Sequence, residues 1–240
     1  MLFNLIRAIS SGDANTVKFA VVSFALSLPI FMLALSLHEY AHGLVANKLG
    51  DPTAKSLGRL TLNPIKHIDL FGFISMLVFG FGWAKPVPIN TRYFKKPKRD
   101  MAITALAGPL SNIFLAMIFC ALFKVFTLVD FISIQSELVF NIWMFTGLTL
   151  TRGIYINVLF AVFNMIPIPP FDGSRLLLAF LPSKIYFKIQ QYENYIYIVF
   201  LVLLVLGIFD YPISWLTDLI CTGINKLFFV PDVFRSIFGM

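Results

Sequence analysis

The 19 residues from Phe19 to Leu37 carry no charge, and the run ends only where His38 begins a polar cluster. As a helix it would cover about 28 Å, close to the ~30 Å hydrocarbon core of a bilayer. A second uncharged run extends from Met101 to Phe123 and ends near Lys124; its Ala105, Ala107, Gly108 and Ser111 are small enough to let helices approach closely in lipid. Composition agrees: 58% of the 240 residues are hydrophobic and only 13% charged. That excludes disorder and an ordinary soluble domain, and points to an all-α polytopic membrane protein. The net charge of +7 would suit nucleic acid in a soluble chain. In a membrane chain it reads as basic cytoplasmic loops, so no nucleic-acid partner is expected. Cys120 and Cys221 belong to no CxxC pair, which leaves no disulfide framework and no thiolate zinc site.

The N-terminal residues lack a basic region, short apolar core and small-residue cleavage site in sequence, so the first span is expected to be retained. Leu138 to Phe171 is apolar but holds Arg152; the crossing is expected after Gly153, with Arg152 near an interface or snorkelling towards one. Leu70 to Ala84 is uncharged but short, and is broken by Gly72, Gly80 and Gly82. Lys48, Lys55, Arg59 and Lys66 precede it, and Lys85, Arg92, Lys95, Lys96, Lys98 and Arg99 follow. Both loops favour the cytoplasm, so Leu70 to Val87 is expected to dip in and return rather than cross. The N-terminus then lies outside, and the link with Asp130 and Glu137 is external. Asn194 to Phe209 makes a further short span. In the tail, Ile213, Leu216, Ile220, Ile224 and Leu227 share one helical face, which would lie on the membrane or complete a hairpin.

The first span ends in His38-Glu39-Tyr40-Ala41-His42. On a helix His38 and His42 sit one turn apart on one face and can hold one metal, with Glu39 beside them as a base. Two of the chain's three histidines are in this motif, and ionisable residues at the end of a membrane helix are functional candidates by default. A catalytic zinc needs a third protein ligand and an open position. Asp172 is best placed, at the cytoplasmic end of an inward crossing, although an N-cap of the following helix is an equal use for it. His67 is expected at a surface or interface rather than on the metal, and Asp69 is a weak candidate.

HEYAH and the later NMIPIPPFDG (Asn164 to Gly173) together resemble the site-2 protease family of intramembrane zinc metalloproteases, whose signatures are HExxH and NxxPxPxLDG. Phe171 replaces the usual Leu. The resemblance extends through Gly50 to Asp69, Gly82 to Asn90 and AGPLSN (Ala107 to Asn112), covering roughly residues 17 to 182, and is closest to compact bacterial members without a PDZ domain. It implies a three-helix catalytic core with a re-entrant β-hairpin at about residues 70–90, in a core of residues 1–182. One or two accessory membrane segments follow in residues 183–240. It also implies one zinc per chain and a bacterial inner-membrane location. Substrates would be transmembrane proteins or signal-peptide remnants.

On this reading His38, His42 and Asp172 hold zinc and Glu39 moves the proton. Asn164 contacts the substrate backbone or oxyanion, or else bonds helix to helix; Asn112 is expected to serve packing. A strand edge near Gly82 and Val87 would take the substrate in extended form. Two rivals remain: a non-proteolytic scaffold that binds transmembrane helices, and a metal transporter. The latter would need further ionisable residues, which Met101 to Phe123 lacks.

Overall fold

The computed structural model describes residues 13–79, 82–129, 136–182, 185, 188, 189, 191–231, 233 and 234. The turn at Gly80, the link at Asp130 and Lys184 lie outside these. Three long helices form the body: α1 (Ala14–Lys48), α4 (Pro97–Phe126) and α5 (Glu137–Asn164). All three are long and apolar enough to cross a membrane. Between α1 and α4 come the short α2 (Thr53–Ser56) and α3 (Leu70–Phe79). After α5 follow α6 (Asp172–Phe180), α7 (Glu193–Val205) and α8 (Asp210–Leu227).

The helices α1, α4 and α5 pack against one another in all three pairings. Glycine sets the closeness at one crossing: a Cβ on Gly153 would run into the ring of Phe119. Large side chains such as Leu110, Phe114, Leu122 and Val125 of α4 remain exposed, as expected where lipid replaces water and burial of apolar surface no longer drives packing.

Three features depart from the sequence reading. First, α5 starts at Glu137 and not after Gly153, so Arg152 lies mid-helix. A charge was read as the end of a span, whereas a 28-residue helix is longer than the bilayer requires and can carry one inside. Second, Leu70–Phe79 is helical, so the expected β-hairpin lacks its first arm. A short, wholly apolar run has no period that separates helix from strand, and a helix satisfies its own backbone in an apolar setting. The return arm, Gly82 to Asn90, forms neither helix nor strand. Its one β-bridge pairs Ile68 with Ala84, and Lys85 N–H donates to the His67 carbonyl at 2.9 Å. The two ends of the excursion therefore lie side by side. Gly72 permits this, because a Cβ there would meet the Trp83 carbonyl.

Third, the span expected over Asn194 to Phe209 is shorter, α7 ending at Val205, and α8 leaves it at 82°. Thr217, Cys221, Ile224 and Asn225 are buried, while Leu216 and Leu227 are exposed. In a lipid-facing helix the polar and small residues turn towards protein. Phe171 also gains a reason: it packs edge-on against Phe163 at 4.7 Å and Phe200 at 4.9 Å, tying the loop before α6 to α7.

Candidate metal centre

Near the C-terminal end of α1 the one-turn spacing brings His38 and His42 onto the face that looks at α4, and both are buried. Asp172 begins α6 and reaches the same point across the bundle. Its Oδ2 lies 3.0 Å from Nε2 of His38 and 3.0 Å from Nε2 of His42, and the two nitrogens are 3.0 Å apart. Gly173 enables this approach, since a Cβ there would collide with the Met165 backbone. The two readings of Asp172 thus merge, for it opens a helix and faces the histidines. Burial pushes its carboxyl up, but His42 and His38, when protonated, outweigh this and hold it below the usual carboxylate range.

What surrounds the rings decides which atoms face inward. His38 Nδ1–H donates to Asn112 Oδ1 at 2.6 Å, and His42 Nδ1–H donates to the Thr104 carbonyl at 2.7 Å. The Asn112 amide is oriented in turn, because its Nδ2 donates to the Ala34 carbonyl and to Asn157 Oδ1, both at 3.1 Å. Asn157 is itself fixed by donating to the Gly153 carbonyl at 2.8 Å. With each Nδ1 committed as a donor, each neutral ring presents its Nε2 lone pair. Two lone pairs and a carboxylate oxygen then converge on one point. A single proton could bridge one edge of that triangle, whereas a cation satisfies all three.

The space for a cation exists as well. Gly108 of α4 faces the group, and a Cβ there would meet His42 Nε2 and lie 2.6 Å from His38 Nε2. The 3.0 Å edges are near the roughly 3.3 Å edge of a tetrahedron with zinc-ligand bonds of 2.0–2.1 Å. Two imidazoles and a carboxylate form a borderline-soft donor set suited to zinc. The described residues offer one such group of three donors, His38, His42 and Asp172.

Glu39, also buried, points elsewhere: its Oε2 accepts the Val87 N–H at 2.7 Å. The return arm thereby lies against the acid. That arm is held at several points. Arg59 Nη2 donates to the Lys85 carbonyl at 2.8 Å and the Pro86 carbonyl at 3.2 Å, and Asn90 N–H donates to Asp51 Oδ2 at 2.7 Å. Gly82 lies at its start. Asn164 donates within its own helix to the Phe160 carbonyl at 2.9 Å, not to another helix. His67 is no surface residue. It is fully buried, with Nε2–H donating to the Thr61 carbonyl at 2.7 Å, and so it braces the loop below the return arm. Asp69 accepts the Gly72 N–H at 2.8 Å and caps α3.

The residues that sequence reasoning missed are Asn112, Asn157, Thr104 and Gly108. Asn112 does join helices, as expected, but the same amide also sets the tautomer of a histidine. The signal available was a wholly buried amide in each of two apolar helices, which must find partners.

Comparison with known proteins bears on this geometry. The family model described as Peptidase family M50 matches residues 132–206, the part containing Asn164 and Asp172. The chain is 42% identical over 199 residues to "Putative zinc metalloprotease YwhC" of Bacillus subtilis, covering 82% of this chain and 88% of that one. To "Putative zinc metalloprotease MJ0611" of Methanocaldococcus jannaschii it is 34% identical over 161 residues, or 67% and 73% of the two chains. To "Putative zinc metalloprotease Rip2" of Mycolicibacterium smegmatis it is 30% identical over 160 residues, or 64% and 56%. No solved structure matches. The cofactor is zinc, on which the donor set and these relatives agree.

Proposed function

The chain belongs to peptidase family M50, the site-2 protease family, and on that premise we propose that it is an intramembrane zinc endopeptidase. It cuts peptide bonds within or near the transmembrane segments of other membrane proteins, or of signal-peptide remnants. The observation that carries this reading is the convergence of His38, His42 and Asp172 beside the buried acid Glu39, among helices long enough to span a bilayer. Residues 1–182 are the catalytic unit, and residues 183–240 are accessory.

In this role the two imidazoles and Asp172 hold one zinc, which when bound polarises the scissile carbonyl and lowers the pKa of water. Glu39 takes the proton released in the attack and passes it to the leaving amine. One of its oxygens is engaged by Val87, so the proton is handled at the other. Asn164 offers its amide to the substrate backbone or the developing oxyanion. The substrate lies extended beside Gly82 to Val87. Pro86 and Pro88 have no N–H, so the arm offers mainly carbonyl acceptors at that point.

His42 precedes Lys48 by six residues, or about 9 Å of helix. The centre is thus shallow on the cytoplasmic side, where a polar inlet can admit water, with the N-terminus outside and the chain in the bacterial inner membrane. The direct test is zinc content and cleavage of a membrane substrate in proteoliposomes. Glu39→Gln should keep about one zinc and lose cleavage, whereas Asp172→Ala and the double variant His38→Ala, His42→Ala should lose both. Undiminished cleavage by Glu39→Gln would remove Glu39 from the chemistry, and absence of cleavage by a zinc-loaded wild-type chain would overturn the protease reading and leave the helix-binding scaffold as the account.

A further inference from the structure

Arg152 is an intramembrane guanidinium that the site above does not use. It is half-buried in the middle of α5. Its Nη1 donates weakly to Ser27 Oγ of α1 at 3.4 Å, and Ser27 passes its own proton to the Ser23 carbonyl at 2.7 Å. No carboxylate among the described residues pairs with Arg152. Its Nε and the Ser23 Oγ one turn away are both buried without a partner. A charge in lipid is costly and is kept where something answers it, and the described residues leave these donors unanswered.

The surroundings say what lies along the same line. On α5, Arg152, Ile156, Phe160 and Asn164 recur every four residues and share a face. On α1, Ser27, Phe31, Leu35 and His38, spaced by four, four and three, share one as well. The two faces meet: Phe31 packs edge-on against Phe160 at 5.7 Å, and Phe160 against His38 at 5.1 Å. One seam therefore leads from the metal centre, past an aromatic pair, to Arg152. Phe31, Ile156, Phe160 and Arg152 are all only partly buried along it. Ser27 precedes His38 by eleven residues, or about 16 Å of helix.

We propose that Arg152, backed by Ser23 and Ser27, is a recognition subsite for a carboxylate in a transmembrane segment lying along the α1/α5 seam. This rests on the protease reading and deepens it. A segment whose scissile bond is at the metal would present to Arg152 a residue about five positions away if extended, or about eleven if helical. Aspartate or glutamate at that place meets the guanidinium, and the apolar seam accepts the residues between.

The test uses the full-length Glu39→Gln chain in liposomes and measures energy transfer to labelled Ala/Leu transmembrane peptides. Each peptide carries Asp, Asn, Lys or Leu at one position, scanned through one half of the segment. At one or two neighbouring positions Asp should bind about tenfold more tightly than Leu, as a charge-assisted hydrogen bond implies. Asn should fall between, and Lys below Leu. Arg152→Leu should abolish the preference, and Arg152→Lys should keep part of it, both with zinc content unchanged. Equal binding of all peptides, or a preference that survives Arg152→Leu, overturns the proposal. So does loss of zinc in both Arg152→Leu and Arg152→Gln, which would make the arginine a structural group. Because the readout is binding without cleavage, the subsite can fail while the protease reading stands, and the reverse.

Discussion

Two buried polar clusters join the helices of this chain, and they differ in whether their protons are sufficient. Between α4 and α8, Cys120 S–H donates to Asn225 Oδ1 at 3.4 Å, and within α8 the Thr217 hydroxyl donates to the Ile213 carbonyl at 2.7 Å. Each of these two acceptors has its donor. Between α1, α4 and α6, Nε2 of His38, Nε2 of His42 and Oδ2 of Asp172 face one another at 3.0 Å as three acceptors. The first cluster is complete as protein, whereas the second needs a cation. Polar groups that serve packing close their own hydrogen bonds, and a donor set for a metal is recognised by the proton it lacks.

The comparison is tested most severely at Gly108. Its Cβ would lie 2.6 Å from His38 Nε2 and would also meet His42 Nε2. Gly108→Ala should therefore empty the centre, with loss of nearly all zinc and of cleavage, while helix content in detergent stays near that of the parent. Full zinc occupancy in that variant would show that the converging atoms are not where the metal sits. A smaller change is expected one step out. Asn112→Leu leaves His38 Nδ1–H without its acceptor and frees the ring to turn, so zinc affinity measured by chelator competition should fall about 10–100-fold. Asn157→Leu removes only the group that orients Asn112 and should cost about tenfold or less.

How much of this was legible follows the same division. His38, His42, Glu39 and Asp172 were visible because one-turn spacing on a helix and a short Pro-rich motif are local patterns. Asn112 and Asn157 were not, because each meets its partner across the bundle. The bonds of Asn112 reach back 78 residues to Ala34 and forward 45 to Asn157, and no periodicity encodes them. Gly108 stood among small residues read as helix packing; nothing in its own run says that a histidine pair, and not a helix backbone, fills the space beside it. For the fold, two long uncharged runs gave two spans outright. Arg152 misled because the cost of a buried charge is averaged into a rule about span ends, while here a serine from α1 meets it inside the bundle. Leu70–Phe79 misled because apolar residues alone fit helix or strand, and only the Gly82 to Asn90 arm carried the prolines that decide the matter.

The smallest expected effect comes from the completed cluster. Asn225→Leu keeps the number and branching of side-chain heavy atoms and removes the acceptor for a thiol, which is a weak donor. Interhelical hydrogen bonds in membranes are worth about 0.6 kcal/mol on average, so thermal unfolding in detergent should show a loss of that order. Cys120→Ala made alongside should reveal a coupling of similar size in a double-variant cycle. Zinc affinity should be unchanged in both, since neither residue touches a ligand or a group that orients one. If Asn225→Leu instead lowered zinc affinity as far as Asn112→Leu, the α4/α8 contact would be setting the position of α4 against the histidines. The two clusters would then be one network, and completeness of hydrogen bonding would no longer separate a packing contact from a functional one.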